Sequence, residues 1–114
     1  MDILITNNPA CKDHFAGVYQ VEYADVTPLE ILQIVRGRVH LGHRLITHPM
    51  AGGLPPGTTP CKSVIVSGKA GAVCMDDVGI IENATERYTR HGDFYPTAHL
   101  ESHYMLDLSL LTKR

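Results

Sequence analysis

Residues 40–63 run HLGHRLITHPMAGGLPPGTTPCKS, from His40 to Ser63, and the direction taken by the chain on either side of them decides the fold. The stretch opens at the end of a helix and passes through the short apolar pair Leu45-Ile46. It leaves that pair at Thr47-His48-Pro49 and reaches Cys61-Lys62-Ser63, where the apolar run Val64-Ile65-Val66 begins. Positions 49–61 hold four prolines (Pro49, Pro55, Pro56 and Pro60), three glycines and no helical period. A parallel crossover normally needs a dozen or more residues and usually a helix. The Val64 strand is therefore expected to run antiparallel to the Leu45 segment.

Upstream, Ile3-Leu4-Ile5 has the composition of a strand buried on both faces. It stops at Thr6-Asn7-Asn8-Pro9, where Asn8 suits a helix cap and Pro9 the first helical position, whose missing N–H costs nothing. That helix is expected to end near Gly17. Positions 17–23 then largely alternate apolar and polar residues, as in a half-exposed strand. Thr27-Pro28-Leu29-Glu30 spells a capping box with proline at the first turn. Ile31, Leu32, Val35 and Val39 follow at helical spacing, and Gly42 is the natural left-handed stop. A third helix is expected from about Asp77, with Val78, Ile81, Ala84 and Tyr88 on one face and Gly92 as its stop. A short helix from Pro96 to about Tyr104 and a closing strand through Leu106, Leu108 and Leu110 complete the pattern. Strand–helix–strand–helix–strand order implies parallel pairing with right-handed crossovers. The expectation is a single α/β domain over residues 1–114: a layered α/β sandwich with a mostly parallel sheet and one antiparallel strand.

The chain has 114 residues and a formal net charge of −2, with 44% hydrophobic and 19% charged residues. Basic residues are scattered and Trp is absent, so neither a phosphate-binding face nor a base-stacking platform is indicated, and nucleic acid is not an expected partner. No apolar run approaches membrane length. Cys11, Cys61 and Cys74 form no C-x-x-C pair and no disulfide framework. These features fit a reduced, cytoplasmic protein.

In α/β sheets ligands bind outside the carboxyl ends of parallel strands. Those ends are Thr6-Asn7-Asn8 and Thr47-His48, and an antiparallel Val64 strand would begin at the same edge with Lys62 and Ser63. Asn7, Asn8, Thr47, His48, Lys62 and Ser63 are thus the candidate ligand-binding residues. Asn8 is first of all a helix cap, whereas Asn7 has no such duty and is available to donate to a ligand. Lys62 is either a counter-charge or an ordinary solvated residue at the start of a strand. His48 is the candidate catalytic acid/base, since imidazole titrates near neutrality; alternatively its ring merely holds the loop. His40, His43 and His48 have H-x2-H-x4-H spacing, but a helix end followed by a strand does not bring three imidazoles together, and no metal site is assigned. His99 and His103 are a comparably weak pair, and Cys61 lacks the partners of a catalytic thiol. No cofactor is indicated.

Thr6-Asn7-Asn8-Pro9, Gly42 through Pro49, Thr59-Pro60 with Lys62-Ser63, Ile81-Glu82-Asn83-Ala84 and Leu106 through Leu110 together resemble the GrdX family. These are small proteins encoded with glycine, sarcosine and betaine reductase genes of amino-acid-fermenting anaerobes. Met50-Ala51-Gly52-Gly53 and Cys61 depart from the family's Leu-Ser-Gly-Ser type run and aromatic residue, so Cys61 is not a family-wide nucleophile. The resemblance implies a cytosolic protein linked to reductase metabolism, without implying a mechanism. Three roles follow as expectations: an accessory protein whose cleft binds a small anionic metabolite or a reductase subunit, a small enzyme using His48, or an assembly factor acting through its surface.

Overall fold

The computed structural model describes residues 1–50 and 61–91. In chain order they form β1 (Ile3–Thr6), α1 (Pro9–His14), β2 (Gln20–Tyr23), α2 (Pro28–His40), β3 (Ser63–Val66) and α3 (Met75–His91). The three strands make one mixed sheet in the order β2-β1-β3. β2 pairs parallel to β1, with Ile3 opposite Gln20, and β3 pairs antiparallel to it, with Ile3 opposite Val66 and Thr6 opposite Ser63.

The period-2 geometry of strands sorts the core into two sets. Ile3, Ile5, Val64 and Val66 face one way and pack with Ile31, Leu32, Val35 and Val39 of α2 and with Ile81, Ala84 and Tyr88 of α3. Leu4 and Ile65 face the other way, onto Cys11 of α1, with Phe15, Tyr19 and Val21 at the margin. β1 is therefore buried along its whole length, as its uninterrupted apolar run requires, whereas β2 is half buried at Val21 and Glu22 and exposed at Gln20 and Tyr23.

α2 begins as its sequence dictates. The Thr27 side chain accepts from the Glu30 N–H (3.0 Å) while the Glu30 carboxylate accepts from the Thr27 N–H (3.1 Å), closing the capping box ahead of Pro28. It ends in a Schellman motif: the His43 N–H donates to the Arg38 carbonyl (3.0 Å) and the Gly42 N–H to that of Val39 (3.0 Å). Gly42 has φ +104, and a Cβ there would lie 1.9 Å from the Gly71 carbonyl oxygen, so this turn excludes every other residue. α3 starts two residues before Asp77 and buries Ile81, Ala84 and Tyr88, as the helical spacing predicts. Glu82 ties α3 to α2 by accepting from Arg36 and from His40 (3.2 Å). Those two donors, Arg36 first, hold the Glu82 carboxyl below its ordinary value.

Two expectations need correction. The mostly parallel character expected of the sheet is not found among the described residues, where one pair is parallel and the other antiparallel. Leu45-Ile46 does not form a strand beside β1 but makes a single antiparallel bridge, Leu45 to Val66, on the outer side of β3. The Arg44 carbonyl accepts from the Ser67 N–H (2.8 Å), and the Ile46 and Thr47 N–H groups donate to the Ile65 carbonyl (2.8 and 3.2 Å). Burial gives the reason. Val64, Ile65 and Val66 are fully buried on both faces, whereas Ile46 is 41% exposed, so the more apolar run takes the place beside β1. The antiparallel relation between β3 and the Leu45 segment is as expected, and the segment consequently still runs in the direction of β1. The expected helix after Pro96, the closing strand at Leu106–Leu110, the stop at Gly92, the pair His99 and His103 and residues 51–60 of the loop lie outside the described residues.

Candidate functional site

The carboxyl end of β1, the start of β3 and the end of the Leu45 segment meet at one edge of the sheet. Thr6, the last residue of β1, shares a 2.7 Å hydrogen bond with Ser63, its register partner on β3, and accepts from the Asn8 N–H (2.9 Å). Ser63 also donates to the Sγ of Cys11, 3.8 Å away on α1. The chain then leaves β1 through two asparagines with different duties. Asn8 is fully buried and caps α1, its Oδ1 accepting from the Ala10 N–H (2.9 Å). Asn7 stitches three segments: its N–H donates to the Lys62 carbonyl (3.3 Å), its Oδ1 accepts from the Lys62 N–H (2.8 Å) and its Nδ2 donates to the Val26 carbonyl (2.9 Å). Both ends of its amide thus serve the fold, and Asn7 sets the position of Lys62.

Lys62 is the most informative group. Lysine is almost never fully buried unless paired, yet this one is 7% exposed. Its ammonium donates to the Pro49 carbonyl (2.8 Å) and lies over the ring of Tyr88, 5.0 Å from the centroid. Pro49 follows His48 directly, so the ammonium is anchored at the foot of the segment that carries the imidazole. His48 itself is exposed, and its Nδ1 accepts from the Met50 N–H (3.0 Å). In the neutral ring that contact places the proton on Nε2. Thr47 is buried, with Oγ1 accepting from the Ile65 N–H (2.9 Å), which fixes the backbone just before His48.

A buried carboxylate holds the other side of this segment. Asp77, in the first turn of α3, is 6% exposed and accepts from Arg44 Nε (2.8 Å) and from the Leu45 N–H (3.0 Å). Burial pushes its carboxyl up, but the hydrogen bonds from Arg44 and Leu45, with the thiol of Cys74, outweigh that and hold it below the ordinary value.

The structure brings Asn7, Lys62 and Ser63 to one edge of the sheet, with Thr47 and the exposed His48 on the neighbouring segment and Asn8 behind, but it turns the Lys62 ammonium toward Tyr88 on the α3 face and the Thr6 and Ser63 hydroxyls toward Cys11 on the α1 face. The histidines are dispersed: His40 contacts Glu82, His43 donates from Nδ1 to the Ser67 carbonyl (2.7 Å) and His48 holds Met50. Among the described residues no three His, Cys, Asp or Glu side chains lie close enough to hold a metal ion. Cys61 is buried, 2% exposed. Sequence reasoning missed Tyr88, which the helical period assigns to the core, and the carbonyl of Pro49. An aromatic ring with a polar end in an otherwise aliphatic stripe is the one signal that could have marked position 88. Chemically the edge offers a desolvated cation on the α3 face beside the segment that carries an exposed imidazole, and a hydroxyl pair on the α1 face.

A mixed three-stranded sheet with helices and a buried lysine at the strand ends defines a small α/β protein of the kind that places polar groups beyond its central strand. The chain belongs to the family described as GrdX-like protein, whose pattern matches residues 3–114. Comparisons with curated proteins and with solved structures gave no match. Among the described residues no helix is long and apolar enough to cross a membrane.

Proposed function

We propose that this protein is a cytoplasmic accessory factor of glycine, sarcosine or betaine reductase metabolism. In this proposal a small anionic metabolite, or an acidic segment of a reductase component, binds at the strand ends. The observation that supports it is the buried ammonium of Lys62, set at the meeting point of β1, β3 and the Thr47-His48 segment. A cation already removed from water interacts more strongly with an incoming anion than a solvated one does. Lys62 supplies the charge and His48 a donor at the rim, while Asn7, Asn8, Thr47 and the Thr6–Ser63 hydroxyl pair on the opposite face hold the frame. The test is calorimetric titration with glycine, sarcosine, betaine, acetate and inorganic phosphate, together with capture assays on reductase subunits. Lys62→Met, which keeps the buried stem, and His48→Ala are expected to remain folded and to lose binding. Unchanged affinity in both variants would sink the proposal.

A second possibility is a small enzyme with His48 as general acid/base and Lys62 stabilising developing negative charge. It is favoured by the exposure of His48 and by the contact from Met50, which leaves Nε2 as the proton-bearing atom. A bell-shaped pH–rate profile flattened by His48→Asn would establish it. If surface substitutions on the helices, and not at the strand ends, break capture of a reductase subunit, the protein acts instead as an assembly factor.

A further inference from the structure

We infer that Tyr88 is the positioning residue of the site, its ring face holding the Lys62 ammonium in place as a cation at the strand ends. The inference rests on the proposed role of Lys62 as the charge-bearing group, and it adds a residue from α3 to a site otherwise built from β1, β3 and the Thr47-His48 segment. Three observations carry it. The Lys62 ammonium lies 5.0 Å from the Tyr88 ring centroid, inside the range over which an aromatic quadrupole attracts a cation. Both groups are removed from water, Tyr88 at 1% and Lys62 at 7% exposure, which is where such a contact is strongest. The same ammonium also donates to the Pro49 carbonyl at 2.8 Å, so ring and carbonyl both bear on its position between α3 and the foot of the His48 segment.

The position on α3 fits this role. Ile81, Ala84 and Tyr88 share the buried face of the helix, and the first two are wholly apolar. The ring adds a negative face, which opposes the tendency of burial to strip a lysine of its proton. Tyr88 does not touch the reacting or bound species in this account. It acts through Lys62.

The test replaces Tyr88 by phenylalanine and then by progressively fluorinated phenylalanines, which weaken the ring quadrupole with little change of shape. Lysine side chains are followed by NMR through a pH titration of the whole protein, with the Lys62 signal assigned by its loss in Lys62→Met. Phenylalanine is expected to leave the midpoint of Lys62 where it is in the native protein, and each added fluorine to shift that midpoint to lower pH, in order. Tyr88→Leu, if folded, should shift it as far as the most fluorinated ring. A midpoint that ignores fluorination would overturn the inference, because a purely space-filling ring predicts that result. The readout needs no ligand. Should the midpoint follow fluorination while the native protein binds none of the tested anions, the role of Tyr88 stands and the binding proposal falls.

Discussion

Replacing Asp77 by alanine removes a buried carboxylate that ties α3 to the segment ending at His48. Besides the weak contact with the Cys74 thiol, two stronger bonds are lost, and they are unequal. The Leu45 N–H (3.0 Å) points at a charged acceptor whose side chain is 9% exposed, and a hydrogen bond to a charged group contributes about 1.5–3 kcal/mol. The Arg44 arm is 59% exposed, so its pairing with Asp77 is screened by solvent and contributes about 0–1 kcal/mol. Loss of an acid from the first turn of α3 removes about 0.3–1 kcal/mol of interaction with the helix dipole. Asp77→Ala should therefore destabilise by roughly 2–5 kcal/mol, measured by urea unfolding at neutral pH. Asp77→Asn retains an acceptor for Leu45 and should lose only about 1 kcal/mol. The two variants also differ from the native protein in pH dependence. The folded-state value of Asp77 is depressed, so its contribution is present above the unfolded carboxyl value, near ~3.9, and is lost as pH falls through the folded value. The advantage of the native protein over Asp77→Asn should accordingly shrink on acidification. Alanine within about 0.5 kcal/mol of native, or an advantage that persists undiminished in acid, would refute this reasoning.

Gly42→Ala forces a Cβ at φ +104 to within 1.9 Å of the Gly71 carbonyl and should destabilise by about 2 kcal/mol or more, whereas Gly37→Ala, in the middle of α2 with nothing within 4 Å, should stabilise by about 0.5–1 kcal/mol; paired thermal melts check both. Asn7→Ala leaves the Lys62 N–H and the Val26 carbonyl without that side chain and should destabilise by about 2–4 kcal/mol in denaturant unfolding, with faster hydrogen exchange at the Lys62 amide.

Much of the frame was legible before any coordinates. Thr27-Pro28-Leu29-Glu30 and Gly42 act locally, through hydrogen bonds to backbone three or four residues away, and they begin and end α2 as expected. The antiparallel relation of Val64 to Leu45 followed from a Pro/Gly-rich connection that has no helical period. What could not be read was which run lies beside β1. Leu45-Ile46 and Val64-Ile65-Val66 are both apolar, and the choice between them depends on how completely each is buried by helices distant in sequence. The site shows the same division. Asn7 and Lys62 were brought together by topology and do meet, with Ser63 meeting Thr6 on the opposite face, while the Lys62–Tyr88 contact joins two elements whose packing no local pattern encodes. Asn7, taken from the sequence as available to a ligand, uses both ends of its amide to hold the frame.

The central claim is that the edge where β1 ends and β3 begins is a binding site built on Lys62. Backbone amide NMR of the native protein, titrated with acetate, glycine, sarcosine, betaine and phosphate, tests it most directly. Saturable shifts confined to residues 6–8, 47–50 and 62–63, and absent in Lys62→Met, are the predicted result. Shifts that cluster on the exposed helix faces, or that survive unchanged in Lys62→Met, would contradict it.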